Sequence, residues 1–204
     1  MRDLIILGTS CHAIEIADMV DRINAVEPTW RLLGHVAPQA GGSSECAKRP
    51  VLGTDTVLAD HADAMLVSDN EYKDISDIPD DRLASLVDPT SVVTTTAAVG
   101  PGSVIYPHVF VGHDARIRRR VLILAGCVVN HDVVLEDNVI LCSGVSLAGA
   151  VHVEAGCYLG QQCTVRQYLR IGRNSLIGMG SVVVKNVEPD SVMAGNPAQR
   201  LRSR

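Results

Sequence analysis

Two histidine–aspartate pairs, His113-Asp114 and His131-Asp132, stand eighteen residues apart, and Gly149 follows eighteen beyond His131. Imidazole titrates near pH 6.5 when unperturbed, so a histidine suits proton removal close to neutrality. A carboxylate beside it can orient the ring. A glycine in the same register could present its backbone N–H to a developing oxyanion with no side chain in the way. The same residues also read as ordinary turn and surface positions, and the sequence leaves both readings open. His108 and His152 fall outside the series and read as structural or surface residues, while His35 and His61 carry no pattern. A zinc site would need three or four ligands to converge; His108, His113 and His131 are the candidates for one.

Eighteen matters because it is three times six. From Val87, every sixth residue to Val183 is Leu, Ile or Val, without a slip. A second series four residues after each stop runs Ser103, Val109, Ala115, Val121, Cys127, Val133 and onward to Val187, all small or aliphatic. A period of six fits neither a helix nor a simple alternating strand; it is the hexapeptide repeat of a parallel β-helix. Three hexads close one triangular coil, and coils stack at strand spacing, roughly 4.8 Å. The segment therefore reads as a prism of nearly six coils, roughly 27 Å long, with the first series inside and the second at its corners. Residues eighteen apart should stack, so His113, His131 and Gly149 form one column.

The first eighty residues obey another grammar. Leu4-Ile5-Ile6-Leu7 suits a buried parallel strand. Gly8 to His12 reads as a turn, Ala13 to Ile23 as a helix, Leu32 to Val36 and Ala64 to Val67 as further strands, and Thr54 as the cap of a short helix reaching about Asp60. This is a small Rossmann-like βαβαβ unit, whose ligands bind beyond the carboxyl ends of the strands. Gly8, Ser10, Cys11 and His12 stand at that mouth. The dinucleotide fingerprint is not met, because Ser10 and Ala13 occupy its second and third glycine positions. A plain tight turn and an anion site at a helix N-terminus both remain open. Asp69 to Asp81 reads as an acidic connector. The expected division is residues 1–82, 83–188 and a C-terminal tail, 189–204.

A net charge of −5 disfavours nonspecific nucleic-acid binding. No run approaches the roughly 20 apolar residues of a membrane span, and Leu4 to Leu7 is too short for a signal peptide. None of the six cysteines forms a CxxC pair, and three fall at interior positions of the repeat. A reduced, cytoplasmic protein without disulfides is expected.

The motifs together resemble the hexapeptide-repeat sugar O- and N-acetyltransferases of bacteria, the NeuD/PglD-like group. The resemblance rests on Leu7 to Ala13, Ser85 to Val93, Val129-Asn130-His131-Asp132, Gly178 to Val187 and Gly195-Asn196-Pro197-Ala198. It implies a left-handed β-helix and a homotrimer with acetyl-CoA as co-substrate between neighbouring prisms, acting on a nucleotide-linked sugar with no metal. It implies His131 as general base, Asp132 as its support and Gly149 as oxyanion donor. It also implies Gly149, Gly160, Gly178 and Gly180 along the pantetheine, with Lys185 and the basic residues Arg200, Arg202 and Arg204 as candidates for the CoA phosphates. Gly8, Ser10, Cys11 and His12 would contact the acceptor. The chain departs from the family where the acceptor would sit. Cys11 and Ala13 replace glycines, Gly34 to Pro38 lacks the usual acid, and Ser68 precedes Asp69-Asn70. A zinc enzyme resembling the γ-class carbonic anhydrases is the alternative. His108 and His113 give its short histidine spacing, but Tyr72 stands at the position of the remaining histidine, 36 residues before His108. A non-catalytic β-helix scaffold is a further alternative.

Overall fold

The computed structural model describes residues 1–71, 75 and 77–204. It divides into two compact units, Met1–Leu86 and Val87–Arg204. The acidic connector expected over 69–81 falls partly outside the described residues.

In the first unit, β1 (Arg2–Leu7), β2 (Trp30–Val36), β4 (Arg49–Gly53) and β5 (Met65–Ser68) are parallel, while the short β3 (Glu45–Cys46) runs antiparallel to β4. The spatial order is β3-β4-β2-β1-β5. Leu4, Ile5, Ile6 and Leu7 are fully buried, as a central parallel strand covered on both faces requires. Helix α1 spans Cys11–Val26, and its buried stripe is Ala13, Ile16, Ala17, Met19 and Val20. Cys11 and His12 therefore open the helix instead of belonging to the turn. Ser10 is the true N-cap, its hydroxyl accepting from the N–H groups of His12 and Ala13. The second strand begins two residues earlier than its aliphatic run, because Trp30 is 5% exposed and contributes to the core. The short helix after Thr54 is a 3₁₀ turn, Asp55–Ala59, and the Thr54 side chain makes no cap bond to it.

The second unit is the expected parallel β-helix. One sheet contains Val92–Val93, Phe110–Val111, Val128–Val129, Ser146–Leu147, Thr164–Val165 and Val182–Val183. A second stacks Ala98–Val99, Arg116–Ile117, Val134–Leu135, His152–Val153 and Arg170–Ile171. The third includes Val104–Ile105, Leu122–Ile123, Ile140–Leu141, Tyr158–Leu159 and Leu176–Ile177, then Ser191–Ala194 and the antiparallel Gln199–Ser203. The register is eighteen from Val92 to Val183, as in Val128 opposite Ser146 and Leu147 opposite Val165, and sixteen in the last coil, where Ile171 faces Val187 and Leu176 faces Val192. Both hexad series point inward, and Val129, Val133, Leu135, Val139, Leu141 and Val145 are fully buried. Cys127, Cys157 and Cys163 lie in the same interior. Burial pushes the first two thiols up to about 11 and the third up to about 12, so they pack as small hydrophobes and are poor nucleophiles.

The structure adds a third six-residue series. From Gly102 to Gly180, each corner places one residue at positive φ: Gly102, His108, Asp114, Arg120, Gly126, Asp132, Asn138, Gly144, Ala150, Gly156, Gln162, Tyr168, Asn174 and Gly180. Glycine, asparagine and aspartate tolerate this region, whereas bulkier residues are strained in it. The turn geometry of the coil imposes the torsion whatever the residue.

Candidate functional site

The column inferred from spacing is present. The Asp132 N–H donates to the His113 carbonyl at 2.9 Å, the Ala150 N–H to the His131 carbonyl at 2.9 Å, and the Tyr168 N–H to the Gly149 carbonyl at 3.1 Å. His113, His131, Gly149 and Gln167 thus occupy successive coils at the corner where the first sheet passes into the second, and Lys185 follows on the next coil, in a turn two residues shorter.

The two histidine–aspartate pairs differ. In His131, Nδ1 lies 2.8 Å from Asp132 Oδ2. A carboxylate only accepts, so Nδ1 carries the hydrogen and the neutral ring offers its lone pair at Nε2. That nitrogen faces Gly149: a β-carbon there would lie 2.5 Å from Nε2 and 2.6 Å from Cε1. Glycine at 149 is the condition for this ring position. In His113 the ring is turned around. Its Nε2 is 3.2 Å from Asp114 Oδ2 and its Nδ1 is 2.8 Å from Thr96 Oγ1. Thr96 Oγ1 also accepts the Asp114 N–H at 3.0 Å, so its own hydrogen is available to Nδ1. Both His113 nitrogens are engaged, and of the two stacked rings it is His131 that presents a lone pair.

His131 and Gly149 line an open cleft of about 310 Å³ with Asn130, Ala148, Gln167 and Tyr168. The Asn130 side chain is fixed by donating Nδ2–H to the Leu147 carbonyl at 2.8 Å. Sequence reasoning did not single out Asn130, Gln167 or Tyr168. The eighteen-residue step would have found Gln167, which it places between Gly149 and Lys185.

Gly160, Gly178 and Gly180 lie elsewhere, at the corner where the third sheet passes into the first. Local packing accounts for the first two. A β-carbon on Gly160 would lie 2.7 Å from the Met179 nitrogen, and one on Gly178 would press on Ala194 at 3.2 Å. Gly180 has open space around it and a φ of +66°. Within one prism these glycines and His131 stand on opposite edges of the first sheet.

In the first unit, Gly8 has φ +125°, and a β-carbon on it would overlap the Asp69 carboxylate. Asp69 is 1% exposed and accepts from the N–H groups of Ser10 and Glu71. His12 sits between carboxylates, with Nδ1 3.3 Å from Glu15 and Nε2 4.0 Å from Glu71. The mouth of this sheet is therefore acidic, with Asp69 already at the Ser10 N–H and the Ser10 hydroxyl on the N–H groups of His12 and Ala13. His35, silent in the sequence, is fully buried with Nδ1 3.2 Å from the Gly8 carbonyl. A carbonyl only accepts, so Nδ1 bears the hydrogen and Nε2 has no partner among the described residues. Burial pushes the His35 pKa down. Beyond β2 and β4 opens a cleft of about 340 Å³ lined by Gln39, Ser43, Ser44, Thr54 and several glycines.

His108 and His152 stand apart from the column. His108 occupies a positive-φ corner with its N–H on Thr90 Oγ1, and His152 Nε2 pairs with Glu136 at 2.7 Å. Among the described residues, no three His, Cys, Asp or Glu side chains converge as a metal site, and no helix is long and apolar enough to cross a membrane.

The whole chain superposes on solved bacterial structures. The acetyltransferase domain of PglB from Neisseria gonorrhoeae, which has also been solved with acetyl coenzyme A, matches with TM-score 0.87 at 22% identity, over 98% of this chain and 99% of that one. PerB from Caulobacter crescentus, solved with CoA and GDP-perosamine, matches with TM-score 0.84 at 21% identity, over 99% and 98%. The fold is the one that the resemblance to sugar acetyltransferases implied. In sequence, the acyl-[acyl-carrier-protein]–UDP-N-acetylglucosamine O-acyltransferase of Pseudomonas aeruginosa is 41% identical over 78 residues, 38% of this chain. The match spans 30% of that relative's length. Residues 83–190 match the model of the family described as GMPPB C-terminal domain, more than half of the chain, and the chain belongs to that family.

Proposed function

We propose that the protein is an acetyl-CoA-dependent acetyltransferase acting on an amine or hydroxyl of a sugar, in nucleotide-linked form, in the cytoplasm. One observation carries this reading: Asp132 fixes the His131 ring so that its lone pair at Nε2 faces Gly149. The Gly149 N–H makes no hydrogen bond among the described residues.

The chemistry follows from that arrangement. The acceptor nitrogen or oxygen attacks the thioester carbonyl while Nε2 of His131 takes its proton. Asp132 holds the ring and balances the imidazolium that forms. The Gly149 N–H donates to the oxyanion of the tetrahedral intermediate. Collapse expels the CoA thiolate, which recovers the proton from His131. Lys185, exposed on the coil after Gln167, is the proposed contact of a CoA phosphate; Arg200 and Arg202 add positive charge in the C-terminal strand, and Arg204 follows it, with its guanidinium on the carbonyls of Gly156 and Asn174. Gly8, Ser10, Cys11 and His12 are the proposed acceptor contacts. The carboxylates around them favour hydroxyl or amine donors over phosphate at that loop.

A homotrimer completes the proposal. A cleft combining His131 with Gly160, Gly178 and Gly180 needs two copies, because one prism holds them on opposite edges of a sheet. Between those edges the same sheet exposes Val92, Phe110 and Val128 at 57%, 40% and 36%, an apolar stripe suited to a subunit contact.

The test is CoA release from acetyl-CoA with a panel of nucleotide amino sugars that includes GDP-perosamine. His131→Ala should lower kcat by roughly 10²–10⁴ with acetyl-CoA affinity retained. Near-full activity in that variant would overturn the reading.

A further inference from the structure

Tyr168 is out of place by three measures. At 77% it is the most exposed aromatic residue described in a chain with six aromatics. It holds φ +63° at a corner position that glycine, asparagine or aspartate fills in most other coils. Its backbone N–H is bonded to the Gly149 carbonyl at 3.1 Å, yet its hydroxyl has no hydrogen-bond partner among the described residues. A bulky residue in the left-handed region costs stability that asparagine would not, a cost that His108, Arg120 and Gln162 share at their corners. Among the bulky residues at these corners, it is Tyr168 that lines the cleft with His131 and Gly149.

The ring also stands in a defined place. It lines the cleft with His131, Gly149 and Gln167, on the coil after Gly149 and the coil before Lys185. Successive coils at this corner thus carry the base, the oxyanion donor, Gln167 with the ring of Tyr168 beside it, and an exposed cation, in steps of roughly 4.8 Å. If the thioester carbonyl sits at the Gly149 N–H, as proposed above, a polyanionic donor extends toward the cation. The segment passing Tyr168 is then the amide-bearing arm next to the thioester. Methylenes and amide planes pack well on an aromatic face. The acceptor, by contrast, must approach Nε2 of His131 itself.

We infer that Tyr168 is a donor-binding residue whose ring forms a wall for the thioester arm of acetyl-CoA. The inference rests on the acetyltransferase reading. Its cost to the fold and its gain in donor binding are the same torsion seen from two sides.

The experiment is calorimetric titration of acetyl-CoA and of S-acetylpantetheine into wild type, Tyr168→Phe and Tyr168→Asn, with a thermal melt of each. Tyr168→Asn should melt roughly 2–4 °C higher and bind both donors roughly fivefold to tenfold more weakly. Tyr168→Phe should bind within about twofold of wild type, since the ring and not the hydroxyl is the contact. Unchanged affinity in Tyr168→Asn overturns the inference, as does a loss in Tyr168→Phe equal to that in Tyr168→Asn. A penalty confined to acetyl-CoA and absent for S-acetylpantetheine also overturns it, because the ring would then lie against the nucleotide end. A folded wild type that binds neither donor is a different result, and it would overturn the acetyltransferase reading itself.

Discussion

His131 and Gly149 are complementary in shape: the imidazole of the first fills the space a β-carbon of the second would take, 2.5 Å from Nε2. Gly149→Ala should therefore leave the fold almost unchanged, since both residues are at the surface of a corner, but it should turn the ring away. Misplacement of a reacting group by about 1 Å costs roughly 10² in rate. The expected outcome is a fall in kcat of that size with an unshifted melting temperature. An active Gly149→Ala enzyme would mean that the observed ring position is not the working one.

Asp132 holds φ +58° as well as the His131 ring. Asparagine tolerates that torsion, so Asp132→Asn isolates the side-chain effect. An amide pointing its N–H at Nδ1 favours the other tautomer, with the hydrogen on Nε2 and no lone pair toward Gly149. A loss in kcat of roughly tenfold to a hundredfold is expected, smaller than for His131→Ala. Steady-state kinetics of the two variants side by side would check the order.

His35 makes a prediction about pH. Burial lowers its pKa in the folded state, while the unfolded chain titrates near 6.5. Between the lowered value and 6.5 the unfolded state binds more protons, so stability falls as pH drops below about 6.5. In His35→Asn the amide keeps a donor for the Gly8 carbonyl and does not titrate. Melting curves from pH 7.5 to 5 should show a shallower decline for the variant than for wild type.

Leu141 is fully buried in the prism interior, where neighbouring coils leave little room to collapse. Leu141→Ala should destabilise the second unit by roughly 2–5 kcal/mol. Chemical denaturation read separately in the two units should show the loss in Val87–Arg204.

The prism was legible because Leu, Ile and Val recur at a fixed step, and the column because stacking follows from the same arithmetic. The αL series was not, since Arg120, Ala150, Gln162 and Tyr168 share a torsion and no chemistry. Nor could spacing separate His113 from His131. The ring of one is turned by a hydroxyl on Thr96, and that of the other is admitted by a missing side chain at Gly149. Both facts belong to neighbours seventeen or eighteen residues away. The start of α1 was misplaced because Ser10 acts through its hydroxyl, which hydrophobic periodicity does not register. His35 passed unnoticed because only the tertiary fold sets it under the Gly8 carbonyl.

The eighteen-residue register makes the second unit a ruler. Distances along a corner column come in whole rungs of about 4.8 Å, so the gap between Gly149 and Lys185 is two rungs and nothing between. Duplicating one coil after Gly149 would keep each strand paired as before and move Lys185 out by a single rung. Adding one residue would instead send the interior series to the surface. In this architecture the reach of a bound chain is set by counting coils, and a family built on it can change the length it measures only by integers.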